Sequence, residues 1–170
     1  MDMTEFEKID AYSLDDNVFK MIRRDWMLVS AGDEKKFNTM TAGWGGLGII
    51  WRKEIAIIFV RKSRYTHDFL DENDKFSLTF FGGRERDALN ILGVKSGRDC
   101  DKVALSGLTP VFIEGLPTFD EAELVVTCRK MYKQTLDENA MEKEVVDTFY
   151  ADNDMHDMYI GEILSVYKRK

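Results

Sequence analysis

Gly43, Gly45 and Gly48 spell G-x-G-x-x-G within NTMTAGWGGLG (Asn38 to Gly48), and the residues after this run constrain the architecture more than any other feature of the chain. In a dinucleotide-binding turn a strand enters the glycines and a helix leaves them, because the helix N-terminus holds the pyrophosphate. Here the exit is Ile49-Ile50-Trp51 and then Glu54 to Val60, β-branched and aromatic residues without helical spacing, so a strand is predicted. The acid that the fingerprint places about 20 residues onward is also missing: Lys62 and Arg64 stand there, and Asp68 is the first acid. A doubly wound parallel sheet is therefore the wrong architecture. There remains a strand-associated run of Thr, Gly and Trp whose backbone can lie close to a flat ligand, followed by a basic, hydroxyl-rich turn. That combination points to a nucleotide bound by a sheet.

The rest of the chain reads as more strand than helix. Ser13 is placed as an N-cap and predicts a leading helix over 14–23. Trp26 to Gly32 and Phe37 to Trp44 read as a hairpin, and 54–60 as a buried strand. A helix follows from Tyr65 to about Asn73, then the alternating strand Lys75 to Phe81, which Gly82-Gly83 stops. Arg84 to Leu92 reads as helix, Gly93 to Asp99 as loop and Asp101 to Leu105 as a short helical turn. After the only prolines, Pro110 and Pro117, come a long strand from Glu123 to Tyr132, an amphipathic helical turn from Val145 to Tyr150 and a closing strand from Met158 to Tyr167. Strands do not alternate regularly with long helices, so the expected fold is mainly β: an antiparallel β-barrel with peripheral helices. Without repeats, linkers or low-complexity tracts, residues 1–170 are expected to form a single domain with its core at about 26–167.

Composition narrows the function. A chain of 170 residues buries roughly 68–70% of its unfolded surface, and a hydrophobic share of 44% supports a real core. The net charge of −7 excludes a general nucleic-acid or membrane-surface binder, which needs a basic face. No run of 18 apolar residues exists and MDMTEFEKID lacks an apolar signal core, so a cytoplasmic protein is expected. Cys100 and Cys128 are too few and too far apart for a metal knuckle or a redox pair and read as free thiols. Only His67 and His156 are available, which leaves little material for a metal site or a hydrolytic triad.

Three stretches carry candidate chemistry. Arg61, Lys62, Ser63, Arg64 and Thr66 put three cations and two hydroxyls at a helix start, where unpartnered N–H groups favour a phosphate; the same run also fits a solvated surface. Lys95, Ser96, Gly97, Arg98 and Asp99 offer a second such patch, in which Gly97 serves either close backbone approach or a positive φ. Thr39, Met40, Thr41, Ala42, Gly43 and Trp44 bring small residues around an aromatic, suited to the edge of a planar ring or to a packed hairpin with a buried Trp. His156 can change protonation near neutral pH, whereas His67 reads as a packing residue.

The order NTMTAGWGGLG, VRKSRYT (Val60 to Thr66), SLTFFG (Ser77 to Gly82), ILGVKSGRDCDKV (Ile91 to Val103) and HDMYIGEI (His156 to Ile163) resembles the flavin reductase-like family, closest to its flavoredoxin-like branch. The resemblance runs from about Trp26 to Tyr167. It implies an FMN-binding split β-barrel of Greek-key antiparallel strands, working as a homodimer with flavin at the interface. It further implies that the Thr39 to Trp44 backbone lines the isoalloxazine and that Arg61, Ser63, Arg64 and Thr66 hold the ribityl phosphate. Phe80, Phe81 and Gly82 are then expected beside the flavin, with Lys95 and Ser96 closing the phosphate end. His156, followed by Gly161, matches the closing motif associated with the nicotinamide side. Gly43 stands where many relatives have Ser, and Asp154-Met155 replaces the usual Gly-Asp before the histidine. The implied activity is an NAD(P)H-dependent flavin reductase delivering electrons to a small molecule or a protein. An electron carrier reduced by a protein partner and a flavin-binding module without turnover are the alternatives.

Overall fold

The β-branched and alternating runs pair into an antiparallel sheet of eight strands in the computed structural model, which describes residues 5–170. The strands are β1 (Phe6–Ile9), β2 (Met27–Gly32), β3 (Phe37–Ala42), β4 (Gly45–Ile50), β5 (Lys53–Arg61), β6 (Lys75–Phe80), β7 (Pro110–Ile113), β8 (Leu116–Phe119), β9 (Leu124–Thr135) and β10 (His156–Arg169). The helices are α1 (Tyr65–Glu72), α2 (Arg86–Val94), α3 (Lys102–Ser106) and α4 (Lys143–Phe149). Strand order in the main sheet is β3-β2-β6-β9-β10-β5-β4, with β1 on the later half of β10; β7 and β8 form a separate hairpin. The two outermost strands, β3 and β4, are consecutive in the chain and joined only by Gly43-Trp44, yet they do not pair. A sheet whose ends are tied by two residues has to curl until they nearly meet. The curl brings Met27 of β2 to Gly45 of β4, where an added Cβ would lie 3.2 Å from the Met27 Cε. This is a split barrel, and Gly43-Trp44 sits at the split.

β10 is the axis of the assembly. It pairs with β9 along its length, with β5 through its first half and with β1 through its last. Register shifts at Ile160/Gly161 and Ile163/Ser165 bend it, as bulges do. Inside the curl, Ile58, Val60, Phe76, Leu78, Val126 and Tyr159 pack with Phe69 and Leu70 of α1. A second cluster, Leu28, Phe81, Leu89, Leu92 and Phe119, fixes α2 to the other face of β2. Gly161 lies where backbone and ring meet: a Cβ there would stand 2.6 Å from Phe76 Cζ and 3.0 Å from Cys128 Cβ. Gly161→Ala is expected to cost about 1–3 kcal/mol through overpacking, measurable as a lowered urea midpoint.

Two segments differ from the sequence expectation. The helix expected over 14–23 is confined to its second half, a widely wound turn at Lys20–Arg24. Helical winding begins two residues earlier, at Val18, and Asn17 just before it accepts from the Lys20 N–H at 3.1 Å. Ser13 cannot serve, because its hydroxyl donates backward to the Asp10 carbonyl at 2.6 Å. The β7–β8 hairpin has no strand signature in the sequence, because prolines begin or interrupt its strands. Its turn is Glu114-Gly115, both at positive φ, and the Glu114 carboxylate accepts from Thr127, Ser165 and Tyr167, pinning the hairpin to β9 and β10.

Candidate functional site

At the split, the end of β3, the start of β10 and the turn after β5 enclose a cavity of about 180 Å³. Its walls are Met40, Thr41, Ala42, Gly43 and Trp44 on one side, Phe59, Arg61 and Arg64 on another, and His156 between them. The antiparallel register places His156 directly opposite Arg61. The His156 ring is 8% exposed, tilts against Trp44 at 5.0 Å and shares a 2.9 Å hydrogen bond between its Nδ1 and the Tyr150 hydroxyl. Burial, and then the Arg61 charge, push its pKa down to about 4 against the opposing pull of Asp154 and Asp152. The imidazole is therefore neutral at neutral pH. Trp44 also meets Phe149, the last residue of α4, edge-on at 5.3 Å, so the end of α4 backs the indole that lines the site.

The basic turn divides into two parts. Arg61 donates to the carbonyls of Asp154 at 2.8 Å and Phe149 at 2.7 Å and to both Asp152 carboxylate oxygens at 3.2 Å. Ser63 donates its N–H and its hydroxyl to the Asp154 carboxylate at 3.2 and 2.5 Å. Both residues hold the Phe149–Asp154 segment. Arg64 is different: Nη1 donates to the Gly93 carbonyl at 2.8 Å, while Nη2 is buried and has no hydrogen-bond partner. Burial lowers the Arg64 pKa and Asp154 partly restores it. Thr66, on the first turn of α1, accepts from the Asn38 amide at 2.8 Å.

Other residues singled out from the sequence are either engaged by the fold or lie away from the cavity. The Thr39 hydroxyl accepts from Ser30 at 2.7 Å within the sheet, and Thr41 donates to the Leu89 carbonyl at 2.5 Å, so these side chains are engaged by the fold. Phe80 belongs to the main core and Phe81 to the cluster under α2. Gly82 lines a separate cavity with Asp16, Lys20, Glu123 and Lys168. Lys95 ends α2 and is exposed, and the Ser96 hydroxyl accepts from the Arg98 N–H at 3.2 Å.

Two neighbours of Arg64 and Thr66 are not evident from the sequence. Lys102, 3% exposed, donates to the Leu92 carbonyl at 3.1 Å, one residue from the carbonyl that Arg64 uses. Burial, and then the Arg64 charge, lower its pKa to about 8, with Cys100 opposing. Asn38 is the other, and it explains Gly97: a Cβ there would overlap the Asn38 Oδ1 and come within 3.2 Å of Tyr65. Close approach, not a positive φ, is the property that glycine provides. The available signal for Lys102 was its place directly after the N-cap acid Asp101, whose carboxylate accepts from the Ala104 N–H. His67 is engaged as well. Its Nε2 is 2.7 Å from Asp157. Burial raises the Asp157 pKa, but hydrogen bonds from Thr135, His67 and Lys133 more than offset this and bring it to about 2. The pair bolts the first turn of α1 to β10.

Among the described residues no group of three His, Cys, Asp or Glu side chains is gathered for a metal ion. Among them, too, no helix is long and apolar enough to cross a membrane.

The comparisons with known proteins fit this architecture. No curated protein matches the sequence significantly. Among solved structures, an FMN-binding domain of a flavin reductases-like enzyme from Shewanella baltica OS155 superposes with a TM-score of 0.69 at 14% identity, covering 96% of this chain and 77% of that one. Flavoredoxin from Methanosarcina acetivorans gives 0.65 at 25% identity, over 96% of this chain and 76% of that one. The NADH:FAD oxidoreductase SgcE6 of Streptomyces globisporus C-1027 gives 0.65 at 16% identity, over 86% and 75%. Residues 21–170 match the profile of the flavin reductase like domain, and the chain belongs to that family.

Proposed function

We propose that this chain is an FMN-binding oxidoreductase that takes hydride from NAD(P)H and passes the electrons on, as a flavin reductase. The observation that carries the reading is the Arg64 Nη2, a buried cationic donor with no partner. A buried donor left unpaired is costly, and a phosphate entering the site supplies the acceptor it lacks. Lys102, beside it and similarly without a carboxylate among its hydrogen bonds, is a second cation suited to the same anion. The residues present thus fit a flavin phosphate, with Thr66 and Asn38 completing that end. The flavin, when bound, accepts a hydride and returns electrons one or two at a time.

The protein's part is to hold and shield the ring. The Met40 to Trp44 backbone and the Trp44 indole form one wall, Phe59 stands on another, and His156 lies between them against Trp44. Arg61 and Ser63 act on the site through the Phe149–Asp154 segment, whose Tyr150 orients His156. Because that imidazole is neutral above about pH 4, it positions the nicotinamide by packing and hydrogen bonding instead of supplying charge. His156→Ala is expected to raise the KM for NADH several-fold, and wild-type pH profiles to show no His156 titration between pH 6 and 8. Unchanged NADH kinetics in the variant would remove the role. Working as a homodimer with flavin at the interface is part of the same proposal; it is supported by large apolar side chains left exposed, Phe19 beside the split and Ile49 and Trp51 at the far end of β4. NADH:FAD oxidoreductase activity in the Streptomyces relative supports the nicotinamide step.

A second reading, an electron carrier reduced by a basic protein, is favoured by one feature. Glu138, Glu142, Glu144, Asp147 and Asp152 lie exposed on the segment that packs Phe149 onto Trp44. Rapid reduction by NADH or NADPH separates the two readings, because the carrier stays oxidised with either.

A further inference from the structure

Trp26 follows the wound turn Lys20–Arg24 and its capping residue Asp25, directly ahead of β2, and its φ is 66°. A left-handed residue just past a helical turn is normally glycine, sometimes asparagine. In a bulky residue this backbone is a genuine outlier, which persists only where the surroundings over-determine it. Trp51 and Arg52 are left-handed too, but they form the tight turn between β4 and β5, where such angles are ordinary. We propose that Trp26 is a positioning residue for the flavin: its indole is the stop that sets where the Gly43–Trp44 link stands against the ring. The inference rests on the flavin reading of the cavity at the split.

Two contacts hold the indole. Its face meets Arg86, whose guanidinium carbon lies 4.0 Å from the ring centroid. Arg86 opens α2 and donates to the Arg24 carbonyl, two residues before Trp26, so the clamp joins the wound turn to that helix. The pyrrole edge of the indole meets Gly43. An added Cβ at Gly43 would stand 3.1 Å from Cδ1 and 3.3 Å from Nε1 of Trp26, and 3.6 Å from the Ile22 carbonyl oxygen. The indole also packs, partly buried, against the cluster under α2.

Gly43 and Trp44 both line the cavity, yet neither belongs to a strand ladder: the β2–β3 register ends at Ala42 and the β4–β5 register begins at Gly45. Packing, not pairing, therefore places the link. Trp44 is held by Phe149 and His156. Gly43 is held from behind by Trp26, which does not itself line the cavity and so acts on a ligand only through the link. A Cβ at position 43 pushes the link off the indole and shifts the wall that faces the ring; loss of the indole leaves that wall without its backing.

The test is a double-mutant cycle in which FMN and riboflavin are titrated separately into the full-length chain, as wild type and as G43A, W26N and G43A/W26N. Asn accepts a left-handed backbone, so W26N removes the indole and keeps the turn. G43A is expected to weaken both flavins alike by about tenfold, and W26N by about threefold. In the double variant the Cβ meets no indole, and the loss is expected to be at least about fivefold smaller than the product of the single losses, a coupling of the size that contacting residues show. The visible band of the bound flavin should change shape in G43A and return to that of W26N in the double variant, which a change in stability alone does not produce. Single losses that simply multiply, or variants that bind both flavins as the wild type does, overturn the role of Trp26 and leave the flavin site standing. If W26N fails to fold, R86M, which loosens the indole from an exposed position, takes its place in the same cycle and is read in the same way. Failure of both flavins to bind the wild type overturns the two readings together.

Discussion

Arg64→Ala is expected to raise the Kd for FMN by about 10- to 100-fold, the range set by losing a charge-assisted hydrogen bond of about 1.5–3 kcal/mol, while the Kd for riboflavin stays nearly constant. The partners within the turn decide this. Arg61 commits both terminal nitrogens, and Ser63 its N–H and hydroxyl, to the Phe149–Asp154 segment, so a phosphate would compete there with contacts already made. Arg64 uses Nη1 on the Gly93 carbonyl and has only Nη2 to give. Its removal takes away one backbone bond and one unpaired buried donor, effects of opposite sign, so the thermal midpoint should move little. Calorimetric titration of both flavins reads the difference. Equal weakening of riboflavin and FMN would show that Arg64 supports the pocket in general and holds no phosphate.

Lys102→Met is expected to weaken FMN by about tenfold at pH 7 and to remove a pH dependence that the wild type shows. Proton balance sets the sign. In the free protein the ammonium loses its proton at about pH 8, depressed from 10.5 by burial and by Arg64. A phosphate alongside favours the charged form, so the bound state keeps the proton to higher pH. Binding above about pH 8 therefore takes up a proton, and wild-type FMN affinity falls as pH rises, by at most about tenfold per pH unit. The Met variant should give a flat profile over the same range, and riboflavin should be flat with either protein. The same shift governs folding in the absence of ligand. The folded pKa lies below the unfolded one, so the unfolded chain holds more protons between about pH 8 and 10.5 and wild-type stability rises with pH across that window. Near neutral pH the buried charge is a cost, and the Met variant should be at least as stable as the wild type to urea.

Periodicity and local chemistry are legible in the sequence. The β-branched exit from Gly43-Trp44-Gly45 is β4, the alternation from Lys75 onward is β6, and the basic turn does open α1. These depend on neighbours a few residues away. Assignments that depend on distant partners are not legible. Arg61 and Ser63 look available in sequence, but carboxylates some 90 residues later claim them. Phe80 and Phe81 are the adjacent apolar pair that ends the alternation from Lys75, and each enters a different core cluster, so neither lines the cavity at the split. Lys102 stands in a short helical turn with no local sign of burial, and the Leu92 carbonyl brought to its ammonium by the fold marks it as a buried cation. His67 has only Asp71, one helical turn on, as a local acidic neighbour, whereas its closer partner Asp157 lies on β10, at the far end of the chain. In each case local pattern names the element, and tertiary capture decides which side chains remain free for a ligand.

The central claim is that a flavin binds at the split and is reduced there. The most direct test is the visible absorption spectrum of the full-length protein mixed with FMN without oxygen, before and after NADH and then NADPH are added. The account predicts a flavin band that changes shape on binding, stays with the protein through gel filtration and bleaches with one of the two nucleotides. A spectrum identical to that of free FMN, with all the flavin passing into the small-molecule fraction, would contradict it.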